Sequence, residues 1–251
     1  MTRIPSPLPR VIAVAIAVSL LAVALSERNQ AALQSRLLRA APDSVALDPT
    51  LGPYSLALGR VAYANRCAAC HGSRGSRDPI RGVPALASGH WLYGTGRVAE
   101  LEHTILYGIR SGHPKAWNLA SMPAFATAKP YAAYTTPSLT PGQIDDVTGY
   151  LLSLQGLDAD RATARRGSAV FHGTGGCYDC HSDDARGDSA IGAPDLTGAP
   201  WLVGDGSAAS IRATIAHGLA GRCPAWIDRL PPATIRALAV YVHSLPTRAH
   251  D

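Results

Sequence analysis

The 251-residue sequence predicts an all-α protein, two small helical domains in tandem behind an N-terminal apolar helix. Three observations predict it. Short segments carry apolar residues on one helical face, bounded by threonine, proline and glycine signals. Residues 83–112 align with 193–222 at a constant offset of 110, with ten of thirty positions identical, as a duplicated domain would. Residues 11–26 form an uncharged, mostly aliphatic run of sixteen residues, with Arg3 and Arg10 before it and Glu27 and Arg28 after it.

The N-terminal run would span about 24 Å as a helix, slightly less than the roughly 30 Å of a bilayer's hydrocarbon core. Two readings compete: a signal peptide cleaved near Ala22-Val23-Ala24, or an uncleaved anchor. The anchor is favoured because residues 27–39 continue the helix as a polar stalk. Both export the bulk of the chain, and the arginines before the run stay inside. Residues 1–39 are thus anchor and stalk. Residues 40–53, rich in Ala, Pro and Asp, read as a linker. The two domains are expected at 54–156 and 157–251, joined across 156–163.

Each unit opens with a helix (54–66 and 161–171), continues with a short helix (98–107 and 208–217) and closes with a third (140–154 and 232–245). Thr140-Pro141-Gly142-Gln143 supplies a cap, a first-turn proline and a capping-box glutamine. Ile144, Val147, Leu151 and Leu154 then share one face, as do Ile235, Leu238 and Val242 in the last helix.

Just after the first helix of each unit stands the same motif: Cys67-Ala-Ala-Cys70-His71 and Cys177-Tyr-Asp-Cys180-His181. Cys-x-x-Cys-His is the pattern of c-type haem attachment. Two thiols add to the vinyl groups of one porphyrin, and the histidine that follows offers its imidazole to the iron. A zinc site would need the two cysteine pairs much closer in sequence, and a redox dithiol would sit near a βαβ pattern. Two motifs imply two haem c groups, and the helix order becomes that of class I cytochromes c. In that order a glycine of the first helix crosses an aromatic of the last, here Gly59 with Tyr150 and Gly167 with Tyr241. The haem propionates nearly cancel the formal charge of +5, so no nucleic-acid partner is inferred.

The distal iron ligands differ between units. The only methionine after Met1 is Met122, in a Ser-Met-Pro-Ala-Phe loop, and Met/His ligation raises a haem's reduction potential. His113 is its rival. The second unit has no methionine and reads Arg222-Cys223-Pro224-Ala225-Trp226 at the equivalent place. Cys223, the fifth cysteine, is the tentative ligand there. A thiolate would lower the potential. An open position and ligation by His217, His172 or His243 are the alternatives. Trp91, Trp201 and Trp226 are expected to pack on the porphyrins.

The chain resembles the membrane-anchored dihaem subunit III of cbb3-type cytochrome oxidases. The resemblance runs from about residue 53 to 245. It rests on both haem motifs, Trp91-Leu92-Tyr93-Gly94, the segment from Tyr107 to Pro114, Met122-Pro123-Ala124-Phe125, Gln143-Ile144-Asp145-Asp146-Val147, Pro224-Ala225-Trp226, and Tyr241-Val242-His243-Ser244-Leu245. It implies a single anchor in the bacterial inner membrane and two haem domains in the periplasm. It further implies electron relay from a quinol-cytochrome c reductase or soluble cytochrome to the other oxidase subunits, without catalysis in this chain. Cys67, Cys70, His71 and Met122 would then serve one haem, and Cys177, Cys180 and His181 the other. The family uses methionine where this chain has Cys223. A soluble dihaem carrier and a haem-thiolate catalytic or sensory protein are the alternative functions.

Overall fold

The computed structural model describes residues 8–75, 83–127, 130–131, 134–135, 138–157, 159–198 and 201–245. Helix α1 (Leu8–Arg39) is one unbroken rod. No proline or glycine interrupts it beyond its first turn, so apolar run and polar stalk continue a single ladder. Residues Ile12–Arg39 are long and apolar enough to cross a membrane by length and composition. Ile12, Ile16, Leu20 and Val23 are exposed, whereas Leu37 near the other end is fully buried.

Residues 40–53, expected as a linker, form a packed segment. A 3₁₀ turn (Pro42–Leu47) buries Val45, and the Asp48 carboxylate accepts from the amides of Thr50 and Leu51, each at 2.8 Å, to start α2 (Leu51–Arg66). Asp43 accepts from the Ala99 amide at the start of α4 (Val98–Tyr107). These bonds satisfy amides that helix starts leave open. They also tie the 3₁₀ turn to α2 and α4, and the second cysteine and the histidine of the first haem motif lie on α3 (Ala68–His71).

A two-residue-per-strand hairpin, β1 (Pro130–Tyr131) with β2 (Tyr134–Thr135), precedes α5 (Pro141–Leu154). The Thr140 hydroxyl accepts from the Gln143 amide and the Gln143 side chain accepts from the Thr140 amide, a complete capping box. The second unit supplies α6 (Arg161–Phe171), α7 (Tyr178–His181), α8 (Ala208–His217) and α9 (Pro232–His243).

The helices assemble into two bodies, and each body draws on both sequence units. One core joins Tyr63 of α2 and Leu101 of α4 to Leu238 and Val242 of α9. The other joins Ile144, Val147 and Leu151 of α5 to Phe171 of α6 and Ile211 and Ile215 of α8. The expected glycine crossings are therefore corrected. A Cβ on Gly59 would stand 2.2 Å from the Ala237 carbonyl oxygen and 2.7 Å from Tyr241 Cβ. One on Gly167 would stand 1.9 Å from the Asp146 carbonyl oxygen and 2.7 Å from Tyr150 Cβ. Gly59 meets Tyr241 and Gly167 meets Tyr150, so the units have exchanged their closing helices.

The charges on these helices match the exchanged pairing. Both units offer the same glycine and tyrosine, so shape alone permits either pairing. Glu102 of α4 and Arg212 of α8 occupy equivalent positions at the 110 offset, with opposite sign. Asp145 and Arg236, each five residues before its helix's tyrosine, are also opposite. In the observed arrangement Arg236 donates to Glu102 at 2.6 Å and Arg212 to Asp145 at 2.6 Å. Pairing in sequence order would instead set Glu102 against Asp145 and Arg212 against Arg236. Arg166 adds a bidentate bond to Asp146, tying α6 to α5.

Candidate haem sites

Cys67 directly follows α2 and Cys177 stands six residues beyond α6, and in each unit a single following turn carries the second cysteine and the histidine. Cys70 and His71 bond back to the Cys67 carbonyl at 3.1 and 2.9 Å, and Cys180 and His181 to that of Cys177 at 3.3 and 3.0 Å. All four thiols are free. Burial pushes the Cys67 thiol up to about 11 and the Cys177 thiol to about 12.

The two histidines are prepared alike. His71 Nδ1 lies 3.4 Å from the Pro84 carbonyl oxygen, and His181 Nδ1 lies 3.0 Å from that of Pro194. Burial lowers both imidazoles below their ordinary value, against the opposing pull of these carbonyls. A neutral ring with Nδ1–H held by a carbonyl leaves Nε2 as the metal-binding nitrogen. Among the described residues Nε2 of neither histidine has a hydrogen-bond partner. Free thiol pairs, each beside a half-buried, oriented imidazole, fit covalently bound haem c.

The distal side departs from sequence order. After α4 the chain pairs with the segment around Cys223: Ile109 donates to the Cys223 carbonyl at 2.9 Å and Cys223 to that of Ile109 at 3.0 Å. After α8 it pairs in the same way with the segment around Met122, which exchanges bonds of 3.0 and 3.1 Å with Leu219. Met122 packs in the core that contains Cys177 and Phe171. Cys223 faces the other site, where its thiol, pushed up to about 11 chiefly by burial, also feels Cys67 and Cys70. The expected association of Met122 with Cys67, Cys70 and His71 is thus corrected: Met122 lies on the side of Cys177, Cys180 and His181, and Cys223 on the side of Cys67, Cys70 and His71. The exchange of closing helices carries the distal segments with it.

Of the alternative histidines, only His172 has both ring nitrogens occupied among the described residues. His113 accepts from the Lys115 amide and stacks on Tyr107 at 4.7 Å. His172 has both ring nitrogens on carbonyls, of Ser168 and Asp183. His243 bonds the Gly96 carbonyl, and His217 is exposed at the end of α8. Trp91 packs against Gly96, and Trp201 Nε1 donates to Gln155. Sequence reasoning missed the hydroxyl of Tyr63, which donates to the Gly72 carbonyl at 2.8 Å beside the first motif. Its counterpart Phe171 has no hydroxyl.

The family model for cytochrome c matches residues 56–155, and that for cytochrome c oxidase, cbb3-type, subunit III matches residues 162–242. The cbb3-type cytochrome c oxidase subunit FixP of a Bradyrhizobium species is 40% identical over 79% of this chain and 63% of its own length. Subunit CcoP of an Azospirillum species is 38% identical over 89% of this chain and 73% of its own length. Subunit CcoP of Rhodobacter capsulatus is 37% identical over 88% of this chain and 72% of its own length. The chain thus spans between 63% and 73% of the length of these relatives. With two cytochrome c domains and similarity along most of its length, the chain belongs to the family of cbb3-type cytochrome c oxidase subunit III, the CcoP and FixP proteins.

Proposed function

We propose that this chain is a non-catalytic, dihaem electron-transfer subunit that passes electrons to the oxygen-reducing subunit of a cbb3-type oxidase. The observation that carries this reading is the pair of equivalent Cys-x-x-Cys-His sites, each with an oriented imidazole, in a chain of that family. Haem c supplies the one-electron couple. Cys67, Cys70, Cys177 and Cys180 would hold the two groups, and His71 and His181 would each give Nε2 to an iron. Met122 would be the second protein ligand of the haem held at His181, and Cys223 that of the haem held at His71. Buried, pre-oriented ligands keep reorganisation small when the charge changes.

Helix α1 holds the chain to the inner membrane as a single span, with both bodies in the periplasm, where a quinol-cytochrome c reductase or soluble cytochrome donates electrons. The stalk's buried end at Leu37 supports this reading, since it ties the first body directly to the span. A thiolate opposite His71 would make that haem the lower-potential one, and a thioether opposite His181 would make the other the higher. Electrons would then run from the Cys67 site to the Cys177 site.

Potentiometric titration with optical and low-temperature EPR spectra on protein purified from membranes tests this. Two separated potentials are expected, the lower with a low-spin thiolate signal. Cys223→Met should raise the lower potential towards the higher. Met122→Ala should lower the higher potential and open that iron to carbon monoxide. Unchanged spectra in both variants would remove Met122 and Cys223 from the irons.

A further inference from the structure

Between the two distal segments lies Arg110, the second residue after Gly108 of α4's end, with φ +48°. Few non-glycine residues occupy this left-handed region, and such strain persists where the surroundings over-determine it. Arg110 Nε donates to the Gly221 carbonyl at 2.7 Å, and Nη1 donates to the Ala120 carbonyl at 2.8 Å. Gly221 stands two residues before Cys223, and Ala120 two residues before Met122. One planar guanidinium therefore holds both distal segments at the same distance from the residue each presents.

Further bonds lock the guanidinium's own backbone. The Arg110 amide donates to the Trp117 carbonyl at 2.8 Å, and its carbonyl accepts from Arg222 Nε at 2.9 Å. Nη1 also lies 3.4 Å from the Tyr93 hydroxyl, and the Tyr93 ring covers Gly192, two residues before the Pro194 carbonyl that holds His181. Among the described residues no carboxylate pairs with Arg110. The equivalent position of the second unit is Ala220, so the pseudo-symmetric seam contains a single fork of this kind. A rigid fork of charged donors spans two carbonyls at once, as the point charge of a lysine cannot.

We propose that Arg110 is a positioning residue that couples the two distal ligands, so that ligation and potential at both irons respond together to this one side chain. The inference rests on the reading that Met122 and Cys223 are those ligands. Beyond each ligand the segments stay bonded through Trp226 to Ile105 and through Phe125 to Ile215, but without the fork the stretch before each ligand loses its side-chain anchor, and both ligands loosen. Removing a cation between the sites also favours the ferric form of both haems and lowers both potentials.

The test compares Arg110→Gln and Arg110→Lys with the unaltered protein, all purified from membranes with full covalent haem. The readouts are the carbon monoxide-reactive fraction of each haem and the two midpoint potentials. Arg110→Gln is expected to raise the reactive fraction at both haems by at least threefold and to lower both potentials. Arg110→Lys is expected to restore the potentials most of the way while leaving both reactive fractions raised. A change at one haem only, no change, or complete ligand retention in Arg110→Lys would overturn the coupling. If Arg110→Gln does not assemble both haems, the ligand retention of Arg110→Lys alone decides. Met122→Ala and Cys223→Ala separate the two failures: each should open one haem. If neither does, the ligand reading fails. If both do while the Arg110 variants stay closed, only the coupling fails.

Discussion

Arg236 and Glu102 meet with 11% and 14% of their side chains exposed, whereas the equivalent pair on the other body, Arg212 and Asp145, meets with 47% and 56% exposed. Arg236 further donates from Nη1 to the carbonyls of Leu37 and Ala40, so it closes the end of α1 as well as joining α9 to α4. Among the described residues Arg212 has no contact of that kind. The equivalent ion pair therefore carries stability and attachment in one body, and chiefly a sign in the other. That difference separates what holds the exchanged helices in place from what merely discourages the alternative.

The largest effect is expected from swapping the signs on the closing helices alone, with Asp145→Arg and Arg236→Asp together. Both observed pairs then become like-charged, while pairing in sequence order becomes complementary. Uncompensated charge at the Glu102 site alone should cost about 3 to 5 kcal/mol. Denaturant unfolding reads that loss. The spectra sharpen it: if helices repair in sequence order, the thioether signature should move from the haem at Cys177 to that at Cys67. Unaltered stability would show that charge does not select the partners.

Gly167→Ala tests the other half of the account, the shape both pairings share. Its Cβ would stand 1.9 Å from a backbone oxygen, which no rotamer change relieves, so the loss is expected at about 3 kcal/mol. Gly59→Ala should behave similarly, because its Cβ would meet the Ala237 carbonyl at 2.2 Å. Equal losses in both bodies would confirm that the crossings are equivalent. A loss in one only would mean that the bodies do not depend alike on close approach.

Much of this molecule is legible in its sequence, and the limit lies at pairing. The haem motifs, the Thr140 cap, the inner faces of α5 and α9 and the continuity of the stalk are local, and periodicity or spacing determines local structure. Which final helix closes which body is not local. Gly59 and Gly167 are interchangeable by shape, so sequence order is the natural expectation, and the expected places of Met122 and Cys223 follow it. The information is nevertheless present, in the opposed signs of Glu102 and Arg212 and of Asp145 and Arg236. Tyr63 and Arg110 are less accessible. Each acts through backbone carbonyls, and no residue-type pattern in the sequence announces a carbonyl partner.

Glu102→Ala isolates the buried contact without inverting anything. Arg236 would keep the Leu37 and Ala40 carbonyls, which soften the penalty of an unpaired charge to about 2 kcal/mol. The loss should appear in the unfolding of the body that contains the Cys67 haem. A loss confined to the other body would contradict the assignment of α9.

Arg212→Ala should be the mildest change, at about 0.5 kcal/mol or less, because an exposed pair gains little in water and is screened by salt. A double-mutant cycle with Asp145→Ala, run at low and high ionic strength, measures the coupling and its screening. The alternative to be detected is a coupling as large as that of Glu102 and Arg236. That would mean the exposed pair holds α5 to α8 by itself. A small, salt-sensitive coupling would instead leave Arg212 with the role its position suggests: it opposes Arg236 in the pairing the protein avoids, and it contributes to the choice of partner more than to the stability of the partner chosen.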